Sequence, residues 1–276
     1  MSFFDPVAAV LIIPLVAAAV LAMLPGYWLS ARLNVMAALA TFLTALSLFF
    51  NRPTAGLYLR VDDLNNAFIV LTTFVGFTTS VFSASYIGHE LETGRLTPSF
   101  LRFYHAMYQV LMFAMNLALV ANNIGVMWVA IELATLTTVL MVGIYRTHEA
   151  LEAAWKYFIL GSVGIALALF GTILVYMAAQ PVIGEGLDAM VWTKLLARAA
   201  EFDPALLNVA FVFLLLGYGT KVGLVPLHAW LPDAHAEGRR RSPRCSRAFC
   251  STSRSMRCCV SRCCSLRIRM RSRPGP

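Results

Sequence analysis

Three ionisable residues stand inside long apolar stretches of this sequence, where a side chain can hold a proton away from bulk water. Glu132 lies near the middle of residues 124–144, Lys156 near the start of 153–178, and Lys221 in the run Gly-Tyr-Gly-Thr-Lys-Val-Gly. A charge at the centre of a bilayer costs about 2.5–3.5 kcal/mol on insertion scales, so such residues normally face the protein interior and have partners. A proton relay needs such groups, because their proton affinity responds to a neighbouring charge.

The last apolar stretch ends in KVGLVPLHAWLPDAHAE, which adds two histidines and an aspartate. Pro226 and Pro232 are predicted to break the helix where it leaves the bilayer core. His228, Asp233 and His235 would then lie together at the break. Histidine changes charge near neutral pH, so this cluster suits proton exchange with bulk water.

Each of these residues also has a plainer interpretation. The stem of Lys156 can extend its ammonium group to the membrane surface. Glu132 can be a structural acid bonded to a neighbouring helix, and Lys221 can have a purely structural role. The histidines and the aspartate can cap the helix or bind a metal, although no third strong ligand lies at a usable spacing. We therefore predict no metal site.

The elements that position these residues follow from composition. The 276 residues are 59% hydrophobic and 13% charged, whereas soluble domains carry about 25% charged residues. Lipid must therefore surround much of the chain. A helix needs roughly 20 apolar residues to cross a bilayer, and backbone groups in lipid must be satisfied internally. We predict an all-α integral membrane protein with seven membrane helices, at 6–24, 33–50, 64–87, 104–121, 124–144, 153–178 and 205–227.

The connecting segments are short and polar. Residues 88–103 are predicted to form a charged loop, and residues 187–200 an interfacial amphipathic helix. No basic residue precedes the first stretch, so we expect a membrane helix there rather than a cleaved signal peptide. Basic residues are divided evenly between the two sets of alternate loops, so the positive-inside rule favours neither orientation.

Several motifs resemble one known family. YGTKVGLVPLHAWLPDAHAE resembles the signature of the antiporter-like membrane subunits of respiratory complex I, Mrp-type cation/proton antiporters and group 4 hydrogenases. WVAIELATL around Glu132 and EAAWKYFILGSVG around Lys156 resemble the same family in the same order, and the resemblance runs from about Val61 to Glu237. LRFYHAMYQ and YRTHEALEAAWKYF are similar to the component F subfamily of hydrogenase-4 and formate hydrogenlyase complexes.

The resemblance implies a role for each matched residue. Glu132 would pair with a lysine, Lys221 would carry the proton, and Lys156 would modulate the pair. His228 and His235 match histidines of the signature. Other subunits of a redox complex, of the hydrogenase or NADH–quinone oxidoreductase type, would carry out the electron transfer. This chain would be a non-catalytic, multi-pass subunit of the cell inner membrane that binds no cofactor of its own, neither flavin, iron–sulfur cluster nor NADH.

Two other classes of function compete with a redox-driven subunit. A stand-alone cation/proton antiporter would use the same residues, and its gene would lie among other antiporter genes rather than hydrogenase genes. A structural membrane scaffold would not need the buried charges. The family also has about fourteen helices in two inverted repeats, whereas this chain has seven predicted spans. We therefore expect residues 1–103 to hold the first three helices and 104–237 a first half-channel.

Residues 238–276 differ from the rest of the chain. They hold 12 arginines, all 6 cysteines and no acidic residue, whereas all 14 aspartates and glutamates lie at or before Glu237. A basic arm for nucleic acid or anionic lipid, or a cysteine metal site, would be a functional interpretation. The cysteine spacings fit no standard zinc module, and we expect no nucleic-acid partner.

We interpret this tail as a disordered, frameshifted end of a truncated copy. Arginine, cysteine and serine codons shifted back by one base encode mainly apolar residues. Sequencing the gene is expected to reveal a one-base change that opens a long apolar frame after codon 237. A gene with no such frame would refute the interpretation.

Overall fold

The computed structural model describes residues 5–24, 26–50, 56–92 and 98–232. Within them the chain is helical, and two isolated β-bridges are the only extended pairings. The α-helices are α1 (Pro6–Met23), α2 (Tyr27–Ser47), α3 (Asp63–Glu92), α4 (Pro98–Val120), α5 (Ile124–Val142), α6 (His148–Ile183), α7 (Trp192–Ala197) and α8 (Pro204–Val222). Asp233, His235 and the tail from residue 238 lie outside the described residues.

Among the described residues, seven helices are long and apolar enough to cross a membrane, all except the six-residue α7. They coincide with the seven predicted stretches, and the predicted all-α membrane fold is confirmed. Helices α5 and α6 run in opposite directions, and so do α6 and α8, because early residues of one helix contact late residues of the other. Their outward faces carry large apolar side chains, which suits a lipid surrounding.

The helix ends differ from those predicted. The charged loop expected at 88–103 is mostly helical, because α3 continues to Glu92 and α4 begins at Pro98. Helix α6 likewise has 36 residues, about ten more than its apolar stretch. A hydropathy pattern marks where the chain leaves lipid, whereas a helix can continue into water with polar side chains. At 187–200 the chain forms short helical segments, with α7 between two 3₁₀ turns.

Hydrogen bonds of Asn122 and Asn123 hold three connecting segments together at one end of the bundle. The Asn122 amide donates to the Gly56 carbonyl at 2.8 Å, and the backbone N–H of Trp192 donates to the Asn122 carbonyl at 2.7 Å. The Asn123 side chain caps α5 by accepting from the N–H groups of Gly125 and Val126. The start of α5, and thereby the depth of Glu132, is fixed at this end.

Candidate functional site

Small residues bring α6 and α8 into close contact. On α6 they follow the helical spacing of one face, at Gly161, Gly164, Ala168 and Gly171. A β-carbon added to Gly217 of α8 would lie 2.6 Å from both Cβ and N of Ala168. Backbones approach this closely in membranes where glycine and alanine line the interface. The contact continues one turn along α8, to Lys221.

Lys221 points from α8 across α6 to α5. Its Nζ donates a hydrogen bond to Oγ1 of Thr135 at 2.6 Å. The Thr135 hydroxyl in turn donates to the Ile131 carbonyl at 2.9 Å, within α5. A β-carbon on Gly161 would lie 3.1 Å from the same Nζ, so the glycine leaves the room that the lysine occupies. The lysine therefore lies where three membrane helices meet.

Glu132 lies on the same side of α5 as Thr135, since the two are three residues apart on a helix. Its carboxylate and the Lys221 ammonium are near enough to interact electrostatically. Atom Oε2 of Glu132 is buried and makes no hydrogen bond to any described residue. The lysine donates to a neutral hydroxyl, so the structure brings the predicted charges together without a direct hydrogen bond between them.

A second set of contacts packs the residues that follow α8 against the site. The hydroxyl groups of Thr138 and Tyr157 share a hydrogen bond of 2.8 Å between α5 and α6. The Tyr157 ring stacks on Trp230, with ring centroids 4.5 Å apart. The Trp230 indole donates to the carbonyl of Thr220 at 2.9 Å. The chain after α8 thus folds back against the last turn of α8, beside Lys221.

The break after Lys221 differs in detail from the one predicted. Helix α8 ends at Val222, and Gly223 follows in the left-handed region with φ 79°. The N–H groups of Gly223 and Leu224 donate to the carbonyls of Thr220 and Gly219, the pattern of a Schellman motif. Glycine adopts this conformation freely, so the helix ends before it reaches Pro226. Pro226 lies in the following turns and Pro232 in a short helical turn.

The histidine cluster is described only in part. His228 is half-buried, and its Nδ1 is buried without a hydrogen bond to a described residue. His228 lies beside Gly223, because a β-carbon on that glycine would be 3.8 Å from Cβ of His228. Asp233 and His235, which were predicted to join it, are outside the described residues.

Lys156 lies on a different face of α6. Its Nζ is 2.8 Å from a carboxylate oxygen of Glu152, one turn earlier, and both side chains are about half exposed (50% and 53%). The next residue, Tyr157, points towards Trp230, and adjacent helical residues point about 100° apart. Lys156 therefore faces outward from the bundle, whereas Lys221 faces inward.

Thr135, Tyr157, Trp230 and Gly223 are site residues that sequence reasoning did not single out. Thr135 stands three residues after Glu132, which is the spacing of neighbours on a helix. The glycine and alanine spacing on α6 was also visible in the sequence as a small-residue pattern. Trp230 carried no comparable signal, since its contacts depend on how the chain folds back after Gly223.

Replacing Thr135 with valine is expected to weaken the placement of Lys221. The change keeps the shape and removes the only hydroxyl that accepts from Nζ among the described residues. A hydrogen bond to a charged group contributes about 1.5–3 kcal/mol, so a loss of that order in unfolding free energy is expected in detergent. Thr137→Val is the matched control, because the Thr137 hydroxyl bonds only to carbonyls of its own helix. Equal losses in the two variants would contradict the assignment.

Comparison with known proteins identifies this arrangement. Residues 121–241 match the family described as "NADH:quinone oxidoreductase/Mrp antiporter, TM", a range that includes every predicted site residue. Over these residues the chain is similar to the antiporter-like membrane subunits. Within that class, it is 59% identical over 231 residues to a hydrogenase-4 component F homolog from Methylacidiphilum infernorum, covering 84% of this chain and 48% of the relative. Both the family and the component F likeness inferred from the motifs are confirmed.

More distant proteins share the fold. The chain is 29% identical over 244 residues to F(420)H(2) dehydrogenase subunit N from Methanosarcina mazei, covering 80% of this chain and 45% of the relative. A chain of respiratory complex I from Thermus thermophilus superposes with a TM-score of 0.66 at 23% identity, over 83% of this chain and 47% of that one. A chain of an archaeal membrane-bound sulfane sulfur reductase gives a TM-score of 0.69 at 22% identity, with the same coverage. This chain thus spans about half the length of the curated relatives it matches.

Proposed function

We propose that this chain is a proton-translocating membrane subunit of a redox-driven complex, of the hydrogenase-4 or NADH–quinone oxidoreductase type. The observation that carries the proposal is the position of Lys221, held by Thr135 within electrostatic reach of Glu132 where α5, α6 and α8 meet. The family matched by residues 121–241 supports it. The complex would lie in the cell inner membrane, with other membrane subunits as partners.

The relay works by charge coupling. When Glu132 is ionised, it favours the charged form of Lys221, and when Glu132 is neutralised or drawn to another cation, Lys221 releases its proton more readily. The buried and unbonded Oε2 of Glu132 leaves the carboxylate able to respond to a change outside this pair. Lys221 would exchange its proton near Gly223, where the helix ends and His228 lies. His235 would belong to the same exit.

Lys156 would act from outside the pair. Its bond to Glu152 lies on the outward face of α6, where an adjoining subunit can exchange partners with either residue. A shift of that ion pair changes the field at the neighbouring Tyr157, whose hydroxyl bonds to Thr138 on the helix of Glu132. Lys156 would therefore modulate the pair rather than carry the proton.

A cation/proton antiporter subunit is the second candidate, because the description of the matched family includes Mrp antiporters. Both functions would use Glu132 and Lys221, so the source of energy separates them. Proton movement that follows electron transfer supports the redox-driven subunit, whereas movement that follows only an imposed Na⁺ or K⁺ gradient supports the antiporter.

Replacing Glu132 with glutamine tests the proposal. In inverted membrane vesicles that contain the assembled complex, the variant is expected to lower the number of protons moved per electron, because the amide keeps the shape of the side chain but not its charge. Proton uptake is followed with a pH-sensitive dye while electron transfer is recorded in parallel. Glu201→Gln, which changes an exposed acid between α7 and α8, is the matched control and should have the smaller effect. An unchanged proton-to-electron ratio in an assembled Glu132→Gln complex would overturn the proposal.

A further inference from the structure

A groove of about 560 Å³ opens on the outside of the bundle, where α5 ends and α6 begins. Its floor is made of small residues, because a β-carbon on Gly143 would lie 3.4 Å from the β-carbon of Ala154. Its walls are large apolar side chains from three helices, among them Phe103 of α4, Leu140 of α5 and Trp155 of α6, all of them exposed. The volume lies within the range of about 300–1,000 Å³ that is typical of small-molecule sites.

The groove begins at the membrane surface and extends towards the bilayer core. Residues 143–147 connect two helices that are each long and apolar enough to cross the membrane, so this connection lies near the surface. The lining residues of α6 extend from Leu151 to Phe158, which is about 10 Å at a rise of 1.5 Å per residue. The apolar stretch of α6 begins at about residue 153. The deeper part of the groove therefore faces hydrocarbon.

A single positive charge lies at the surface end of the groove. Among the described residues that line it, Arg146 alone is charged, and its side chain is exposed. Its backbone is in the left-handed region with φ 51°, and its N–H donates to the Gly143 carbonyl at 3.2 Å, which holds the arginine beside the floor. A guanidinium has five N–H donors in a fork that matches a phosphate, so it can contact a phosphate as well as another partner.

The order of these features along the bilayer identifies the occupant. A helix of another subunit that crosses the membrane needs an apolar face of about 30 Å, three times the length of the groove on α6. A neutral apolar molecule would fit the walls but would leave the Arg146 charge without a counterpart. A phospholipid has an anionic phosphate at the surface and an apolar chain below it, which is the same order as the arginine and the apolar walls.

We propose that this groove binds one membrane phospholipid, with its phosphate on Arg146 and one acyl chain between Leu140 and Trp155. The chain would cover Gly143 and Ala154 and fill the space between α5 and α6 at the end of the bundle opposite Asn123, which caps the start of α5. The bound lipid would thereby hold the two helices together where they are joined only by a short connection. The inference does not depend on the proposed function.

Binding is measured with the purified 276-residue chain in detergent micelles. Phosphatidylglycerol that carries bromine atoms on one acyl chain quenches a tryptophan that it contacts. The contribution of Trp155, one of five tryptophans, is the difference between the wild-type chain and Trp155→Phe. The Trp155 fluorescence is expected to fall as a saturable function of lipid concentration. Diacylglycerol with the same brominated chains lacks the phosphate and should bind about tenfold less tightly, the effect of losing one hydrogen bond between charged groups.

Two pairs of variants test the two halves of the site. Arg146→Gln should weaken phosphatidylglycerol binding about tenfold, whereas Arg32→Gln, which changes an exposed arginine of α2, should leave the affinity unchanged. Leu140→Phe narrows the groove and should also weaken binding. Val129→Phe is its matched control, because Val129 is an exposed apolar residue of α5 that does not line the groove.

Several results would overturn the proposal. Quenching of Trp155 that rises linearly with lipid, without saturation, would mean that the groove is only part of the general lipid surface. Equal affinities for phosphatidylglycerol and diacylglycerol, or equal effects of Arg146→Gln and Arg32→Gln, would exclude recognition of the phosphate. In the assembled complex, a photoreactive benzoylphenylalanine in place of Leu140 should crosslink to phospholipid. A crosslink to another subunit in its place would show that protein occupies the groove.

Discussion

Lys221→Ala is expected to abolish proton translocation through this half of the subunit, while electron transfer by an assembled complex continues uncoupled or slows. Alanine removes the ammonium that Thr135 holds and leaves Glu132 without the cation with which it interacts. No other described lysine lies in α5 or α8, and Lys156 of α6 faces outward, so no second inward-facing lysine among the described residues of these helices can take over the proton. Proton uptake per electron in inverted vesicles is the measurement.

Lys221→Arg distinguishes a relay from a structural charge. Arginine keeps the positive charge but does not release its proton in proteins. A relay therefore fails in this variant as well, although assembly is retained. If Lys221 served only to neutralise Glu132, arginine would restore proton uptake, and that outcome would contradict the relay. Lys194→Ala is the control, because Lys194 pairs with Asp188 at the end of the bundle, where both are about half exposed.

The membrane spans and the buried charges could be predicted from the sequence because both depend on solvent. An apolar stretch of sufficient length has one stable environment, and a charge within it needs a partner wherever the fold supplies one. The direction in which a side chain points was harder to predict from the sequence. Lys156 and Tyr157 are neighbours in sequence, yet the first faces outward and the second inward. Hydrophobicity alone does not distinguish the two faces of α6, although the spacing of its glycines and alanine marks the face that packs against α8.

The local chemistry of the site also depended on contacts between distant parts of the chain. Thr135 and Lys221 are 86 residues apart, so only packing selects this hydroxyl from the other threonines of α5. The helix break was predicted at Pro226 and Pro232, but Gly223 comes before both along the chain and ends α8.

The contact between α6 and α8 is the element on which the position of Lys221 depends. Gly217 lies one turn before Lys221 on the same face of α8. A β-carbon at Gly217 would lie 2.6 Å from the backbone nitrogen of Ala168 and 2.6 Å from the carbonyl oxygen of Gly164. Both are backbone atoms of α6, so a side-chain rotation cannot relieve the clash. The two helices must separate.

Gly217→Ala is therefore expected to destabilise the chain and to displace Lys221 from Thr135. Forcing an extra carbon into a packed interior typically costs about 1–3 kcal/mol, and the rigid backbone contacts place this site towards the upper end. The unfolding free energy in mixed detergent micelles measures the loss, and a reduced proton-to-electron ratio reports the displacement. Gly26→Ala is the matched control, since nothing lies within 4 Å of a β-carbon at Gly26. If both glycines tolerated alanine equally, close packing of α6 and α8 would not be what holds Lys221 in place.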